Sequence, residues 1–264
     1  MNIYRQELGA NLKSTLIWLI SVSAVGMMLM YFFPMIKSDL SDFMKLIQQM
    51  PQAVQSAFGL QVESFSTAIG YYSFVLTYTA LLLAIFVMNM GVGILSKEER
   101  DRTADFLMTK PVSRMKIMVS KLLASLTLIL VMNIVYTVLM YITINSLSEE
   151  TFTSKFILIA FSLFFMQLIF FSIGFIISTI LRKIKSVLPI SVGLVFFFFA
   201  ISAFAVRSTT DKLRFLTPFQ YFKGDYIIKN NSLEGPYIFA GIVILLLCLA
   251  GSYIIFKRKN IHAI

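Results

Sequence analysis

The chain has 264 residues, of which 58% are apolar and 14% charged, with a mean hydropathy of +0.83 and a formal net charge of +10. That balance excludes an ordinary water-soluble domain. The basic excess does not signal nucleic acid, because it lies in short clusters beside apolar stretches, the pattern by which membrane proteins record their orientation.

Stretches free of Asp, Glu, Lys and Arg mark the spans, since one such charge at the bilayer centre costs roughly 2.5–3.5 kcal/mol. Six emerge, at 14–36, 64–96, 122–148, 156–181, 186–206 and 235–256. Each can cross about 30 Å of hydrocarbon at about 1.5 Å per residue. All are apolar on every face and lack the alternation of a barrel strand, so helices are expected. Trimmed at their polar ends, they predict spans near 15–34, 71–95, 120–144, 156–180, 186–206 and 237–256. The expected fold class is all-α integral membrane, a single transmembrane domain over 1–264 whose loops are too short to fold alone.

Arg5 and Lys13 precede the first apolar stretch, which is longer than a secretory h-region and shows no convincing small-residue cleavage site, so it is expected to remain as the first span. In the loop that follows, Leu40, Phe43, Met44, Leu46 and Ile47 recur at helical spacing before Pro51. Pro51 and Gly59 bracket a second amphipathic piece, from about 51 to 58, expected to lie along the outer interface; a mobile polar loop is the alternative.

After the second span, residues 96–121 concentrate eleven charged residues of both signs between two apolar stretches. Ser96 with Glu99 forms a capping-box pattern, Lys97–Asp101 and Glu98–Arg102 are i,i+4 opposite-charge pairs, and Pro111 closes the segment. The spacing predicts a cytoplasmic helix over 97–109 that gathers Thr103, Phe106 and Leu107 into an apolar ridge. Such a ridge suits docking into a groove on a soluble partner; a charged loop that merely sets topology is the alternative. Ser113 can cap the next helix, and Arg114, Lys116 and Lys121 suit its start at the cytoplasmic face.

The deep polar residues are Asn89, Asn133 and Gln167, expected to hydrogen-bond between helices, with a substrate path as the alternative. The fourth and fifth spans carry Phe164, Phe165, Phe170 and Phe171, then Phe196 to Phe199, which should face lipid or neighbouring helices. Arg182, Lys183 and Lys185 separate those spans, and Lys257, Arg258 and Lys259 follow the last. Counted in alternate connections, 15 basic residues fall on the side of the termini and 8 on the other, so both termini are expected in the cytoplasm of a cell-membrane protein. The 207–236 connection, with five basic residues, runs against that count and would lie outside.

No ionisable group falls in a span core by these boundaries, the one histidine is His262 and the one cysteine is Cys248. Metal sites, serine–histidine pairs and carboxylate proton relays are excluded on inventory, and no G-x-x-x-x-G-K-[ST] sequence occurs. The chain is not expected to be an enzyme or to hold a cofactor.

Glu98-Glu99-Arg100 through Thr103, Phe106-Leu107 and Lys110-Pro111-Val112-Ser113-Arg114 resemble the E-x-x-x-x-T-x-x-x-L-x-x-P-V-S-R segment of permease subunits of type-2 ABC exporters. Arg5-Gln6-Glu7-Leu8 is similar to their short N-terminal interfacial helix, Met50-Pro51 through Ala57-Phe58-Gly59 to their first outer loop, Leu216 through Phe222 to the aromatic-proline stretch before their last span, and Phe256 through Ile261 to their basic tail, with Asn260 where Asp is common. The resemblance implies that the chain pairs with a second permease, identical or related, and docks two separately encoded ATPase subunits, which bind ATP and Mg. The 97–109 segment becomes the coupling helix, with Glu98, Glu99, Arg102, Thr103, Phe106 and Leu107 as docking residues. The apolar, aromatic interior favours an amphipathic or hydrophobic substrate such as an antimicrobial peptide. A peptide sensor or immunity protein, a stand-alone channel and a membrane enzyme are the rivals.

Overall fold

A backbone in hydrocarbon must satisfy its own polar groups, and the chain does so with helices throughout its apolar stretches. The computed structural model describes residues 3–51, 54–55, 65–100, 113–148, 152–181, 184–205 and 211–258, with the side chains of 98–100, 114, 211 and 258 left out. Six helices among them are long and apolar enough to cross a membrane. They are α1 (Ile3–Met30), α4 (Ala68–Arg100), α5 (Arg114–Leu147), α6 (Thr153–Ile180), α7 (Val187–Ala205) and α9 (Gly235–Arg258); the shorter α2 (Phe33–Ser38), α3 (Leu40–Gln49) and α8 (Gly224–Asn230) lie in the connections. The protein is an all-α multi-pass membrane protein.

Several helices overrun the expected spans because nothing stops an α-helix where hydrocarbon gives way to water. The N-terminal helix is continuous with the first span, and α4 runs on to Arg100. Ser96 therefore does not cap a separate helix: it lies inside α4, its hydroxyl donating to the Val92 carbonyl at 2.7 Å. The first span reaches Ser38 and contains the expected 15–34, but its helix breaks after Met30, because Pro34 lacks the N–H that would bond Met30 and its ring clashes with that carbonyl; the chain restarts as α2 with Pro34 in its first turn.

α4 is the most enclosed helix, packed against α1, α5, α6 and α7, whereas α7 and α9 are largely exposed. Its most extensive contact is with α6, parallel to it, where Gly91 and Gly174 let the backbones meet. On the other flank Tyr136 of α5 donates to the Thr79 hydroxyl at 2.8 Å, and Gly26 of α1 sits against Met140 and Thr79. Small residues and scarce interhelical hydrogen bonds replace the hydrophobic effect, which cannot discriminate protein from lipid here. Ile17 and Ile20 of α1 and Leu246 and Leu247 of α9 remain exposed, facing the lipid side.

At the opposite end from the 96–113 connection, α3 turns Phe43 and Ile47 inward and leaves Leu46 exposed. Ile47 is buried and Phe43 meets Phe65, itself packed on Tyr71 and Phe74. Of the amphipathic piece expected at 51–58, only Pro51, Val54 and Gln55 are described; the Val54 and Gln55 amides donate to the Pro51 carbonyl, and the rest, with Gly59, lies outside the described residues.

The 207–236 connection is not a plain external loop. Two 3-10 turns, Asp211–Leu216 and Pro218–Gln220, fold back along α7: the Thr217 hydroxyl donates to the Phe198 carbonyl at 2.8 Å, and Gln220 donates to the Ser202 hydroxyl at 2.8 Å. Phe219 lies against Phe170 and Phe199. Irregular backbone is tolerated at such depth only when buried in protein, and Thr217, Pro218, Gln220 and Tyr221 are all buried. The aromatic residues of the fourth and fifth spans thus divide: Phe170 and Phe171 are core, whereas Phe196 and Phe197 face outward.

Candidate functional site

The 96–113 connection is anchored by two helix ends. On the incoming side α4 keeps its ladder through Lys97 to Arg100. On the outgoing side Ser113 sits in extended backbone and its hydroxyl accepts the Lys116 amide at 3.3 Å, the expected cap of α5. Among the docking residues inferred from resemblance, Glu98 and Glu99 occupy the last turn of α4, their side chains undescribed; Arg102, Thr103, Phe106 and Leu107 lie outside the described residues.

About two turns along α5 from that connection lies a contact that the charge count treated only as topology. The Lys121 ammonium, 1% exposed, pairs with Glu7 of α1 at 3.1 Å and donates to the Ile94 carbonyl of α4 at 2.7 Å. Glu7 also accepts from the Asn11 side chain at 3.4 Å, and one turn earlier the Tyr4 and Thr127 hydroxyls meet at 3.0 Å. A single buried cation therefore joins three helices at the root of the connection. Burying two charges is costly, and the geometry offsets that cost by giving the ammonium both a carboxylate and a backbone carbonyl. The sequence signal was an acid and a base of opposite sign at the same membrane edge; their pairing across α1 and α5 was not readable.

A second buried pair closes the other end. Arg214 forks onto Glu234 with contacts of 2.6 and 3.2 Å, donates to the Gln220 carbonyl at 3.3 Å and lies 4.0 Å over the Tyr237 ring. It ties the folded-back turns to the start of α9. One of the five basic residues that ran against the orientation count is thus neutralised locally. Arg214→Gln is expected to lower the thermal midpoint of the detergent-solubilised protein, because it leaves the half-buried Glu234 carboxylate without its cation, at about 1–3 kcal/mol; Arg214→Lys, which keeps the charge but not the fork, should recover part of the loss.

The three deep amides do not form the interhelical bonds expected of them. Asn133 and Gln167 are buried and Asn89 half-buried. Among the described residues, neither Gln167 polar atom finds a partner, nor do the Asn133 nitrogen or the Asn89 oxygen; the Asn133 oxygen accepts only from Thr137 of its own helix, at 3.2 Å. Matching Gly91 to Gly174 and Thr79 to Tyr136 puts Gln167 level with residue 84 of α4 and Asn133 level with residue 82. These two amides therefore lie within about 3 Å of one depth, near the middle of α4.

A family model described as ABC-2 family transporter protein matches residues 1–261. No curated protein matches the chain.

Proposed function

The chain belongs to the ABC-2 family transporter proteins and is a membrane permease subunit of an ABC transporter, and from that premise we propose that it exports its substrate by docking ATPase subunits through residues 97–109. The observation that carries this reading is the junction at the root of that segment. A rigid helix enters it, a capped helix leaves it, and Lys121 binds both to α1, so displacement of 97–109 moves three helices together. Glu98, Glu99 and Arg102 supply charge to the docking surface, and Thr103, Phe106 and Leu107 its apolar ridge. ATP and Mg are held by the ATPase subunits, two of them working with two permeases; each ATPase supplies the hydrolytic chemistry.

The permease resides in the cell membrane with both termini and the 96–121 connection in the cytoplasm, as the basic-residue count favours. Asn89, Asn133 and Gln167 line or border the pathway: each has a buried amide atom without a partner among the described residues, which is costly, and a state in which α5 and α6 part would let water or substrate satisfy them. Around them the interior is apolar and aromatic, which favours an amphipathic or hydrophobic substrate such as an antimicrobial peptide.

Glu99→Ala and Phe106→Ala test the docking role. Both variants are expected to insert normally while reducing copurification of the ATPase, or uncoupling its hydrolysis from transport, by about tenfold, the loss typical of a central contact. Wild-type copurification and transport in both would overturn the assignment.

A further inference from the structure

Between the last turns of α6 and the first half of α7 lies a groove of about 430 Å³, open to the side and lined by Ile177, Ile180, Leu181, Pro189, Gly193 and Leu194. Its size falls within the roughly 300–1,000 Å³ of ligand-holding pockets, yet its wall is almost wholly carbon, so a polar ligand would lose hydrogen bonds on binding. A side chain added at Gly193 would meet nothing within 4 Å, so that glycine leaves the groove open without serving a close helix contact. The groove lies at the ends of two spans, at the edge of one leaflet. There the chain passes through Leu181 to Ser186 with Arg182, Lys183 and Lys185 and no acidic residue, and Lys185 is exposed.

Charge selects the occupant. A second copy paired two-fold through this groove would bring two such basic segments side by side. A lipid with an apolar chain and an anionic headgroup matches both halves of the surface: the chain follows the cleft, and the phosphate meets the cation at its mouth. We infer that this groove holds an acyl chain of an anionic phospholipid of the cytoplasmic leaflet, with its phosphate at Lys185. The inference rests on the orientation proposed above. A lipid fixed there would brace α7, which has little protein around it.

The test uses the purified full-length permease with phosphatidylglycerol or phosphatidylcholine of identical chains, read by retained lipid in native mass spectrometry and by thermal midpoint. Phosphatidylglycerol is expected to be retained and to raise the midpoint, and phosphatidylcholine to do neither. Gly193→Leu, which fills the groove, should keep the lipid-free midpoint and lose the phosphatidylglycerol effect. Lys185→Gln should weaken retention by about fivefold, the worth of one basic residue against an anionic surface. Equal retention of the two lipids, undiminished retention by Gly193→Leu, or loss of a permease pair in that variant's native mass would overturn the inference, the last by making the groove an interface between copies. Lys185→Cys in a Cys248→Ser background separates the two readings. Labelling by an impermeant maleimide from the outside overturns the orientation and with it the leaflet; cytoplasmic labelling without a lipid preference overturns the lipid site alone.

Discussion

Valine at Gly91 or at Gly174 will lower the ratio of folded to unfolded protein by about tenfold. A Cβ at Gly91 would lie 2.5 Å from the Phe171 carbonyl oxygen, and one at Gly174 would lie 2.7 Å from that of Met88. Both obstacles are backbone, which cannot swing aside as a side-chain tip can. The helices must therefore separate along the most extensive interface in the structure. Within a membrane no gain from apolar burial compensates, because lipid chains receive the exposed surface as readily as protein does. Overpacking of this kind costs about 1–3 kcal/mol or more, and a tenfold loss corresponds to about 1.4 kcal/mol. The yield of monodisperse protein in size-exclusion chromatography measures it. Gly9→Ala is the control, since a side chain there meets nothing within 4 Å; a Gly91→Val protein as monodisperse as that control would remove the close crossing from the account.

The second large effect is expected at Lys121. Lys121→Met takes the cation from the buried Glu7, whose carboxylate keeps the Asn11 amide among the described residues, and Glu7→Gln takes the carboxylate from the buried ammonium, which keeps the Ile94 carbonyl. Each single change should cost about 3–5 kcal/mol, and the double variant should cost less than the sum, because it removes both charges together. The thermal midpoints of the four proteins give that cycle. If this contact also transmits force, the double variant, though folded, should hydrolyse ATP in its complex with substrate transport reduced. Additive losses would show that the two residues act independently.

How far these features could be read beforehand depends on the range of the interaction involved. Span positions follow from local cost, since each stretch must satisfy its own backbone and hold no unpaired charge at bilayer depth whatever its neighbours do; the break at Pro34 and the cap at Ser113 are likewise local chemistry. Ser96 misled because a hydroxyl three residues before a glutamate reads the same whether the helix begins there or passes through, and only the continued ladder of α4 decides. Pairings at long range were illegible. Lys121 and Glu7 are 114 residues apart in a chain numbered as here, and Arg214 finds Glu234 only because the turns between them fold back along α7. The deep amides were conspicuous as residue types, but whether each had a partner required knowing which face of each helix looked inward.

Force entering at residues 97–109 is the centre of this account, and a photo-crosslinker at that position tests it most directly. With benzoylphenylalanine in place of Phe106, irradiation of intact cells should yield one major adduct, which mass spectrometry identifies as a soluble ATPase bearing a phosphate-binding G-x-x-x-x-G-K-[ST] loop. An adduct confined to lipid or to unrelated proteins, from a variant that transports normally, would contradict the account.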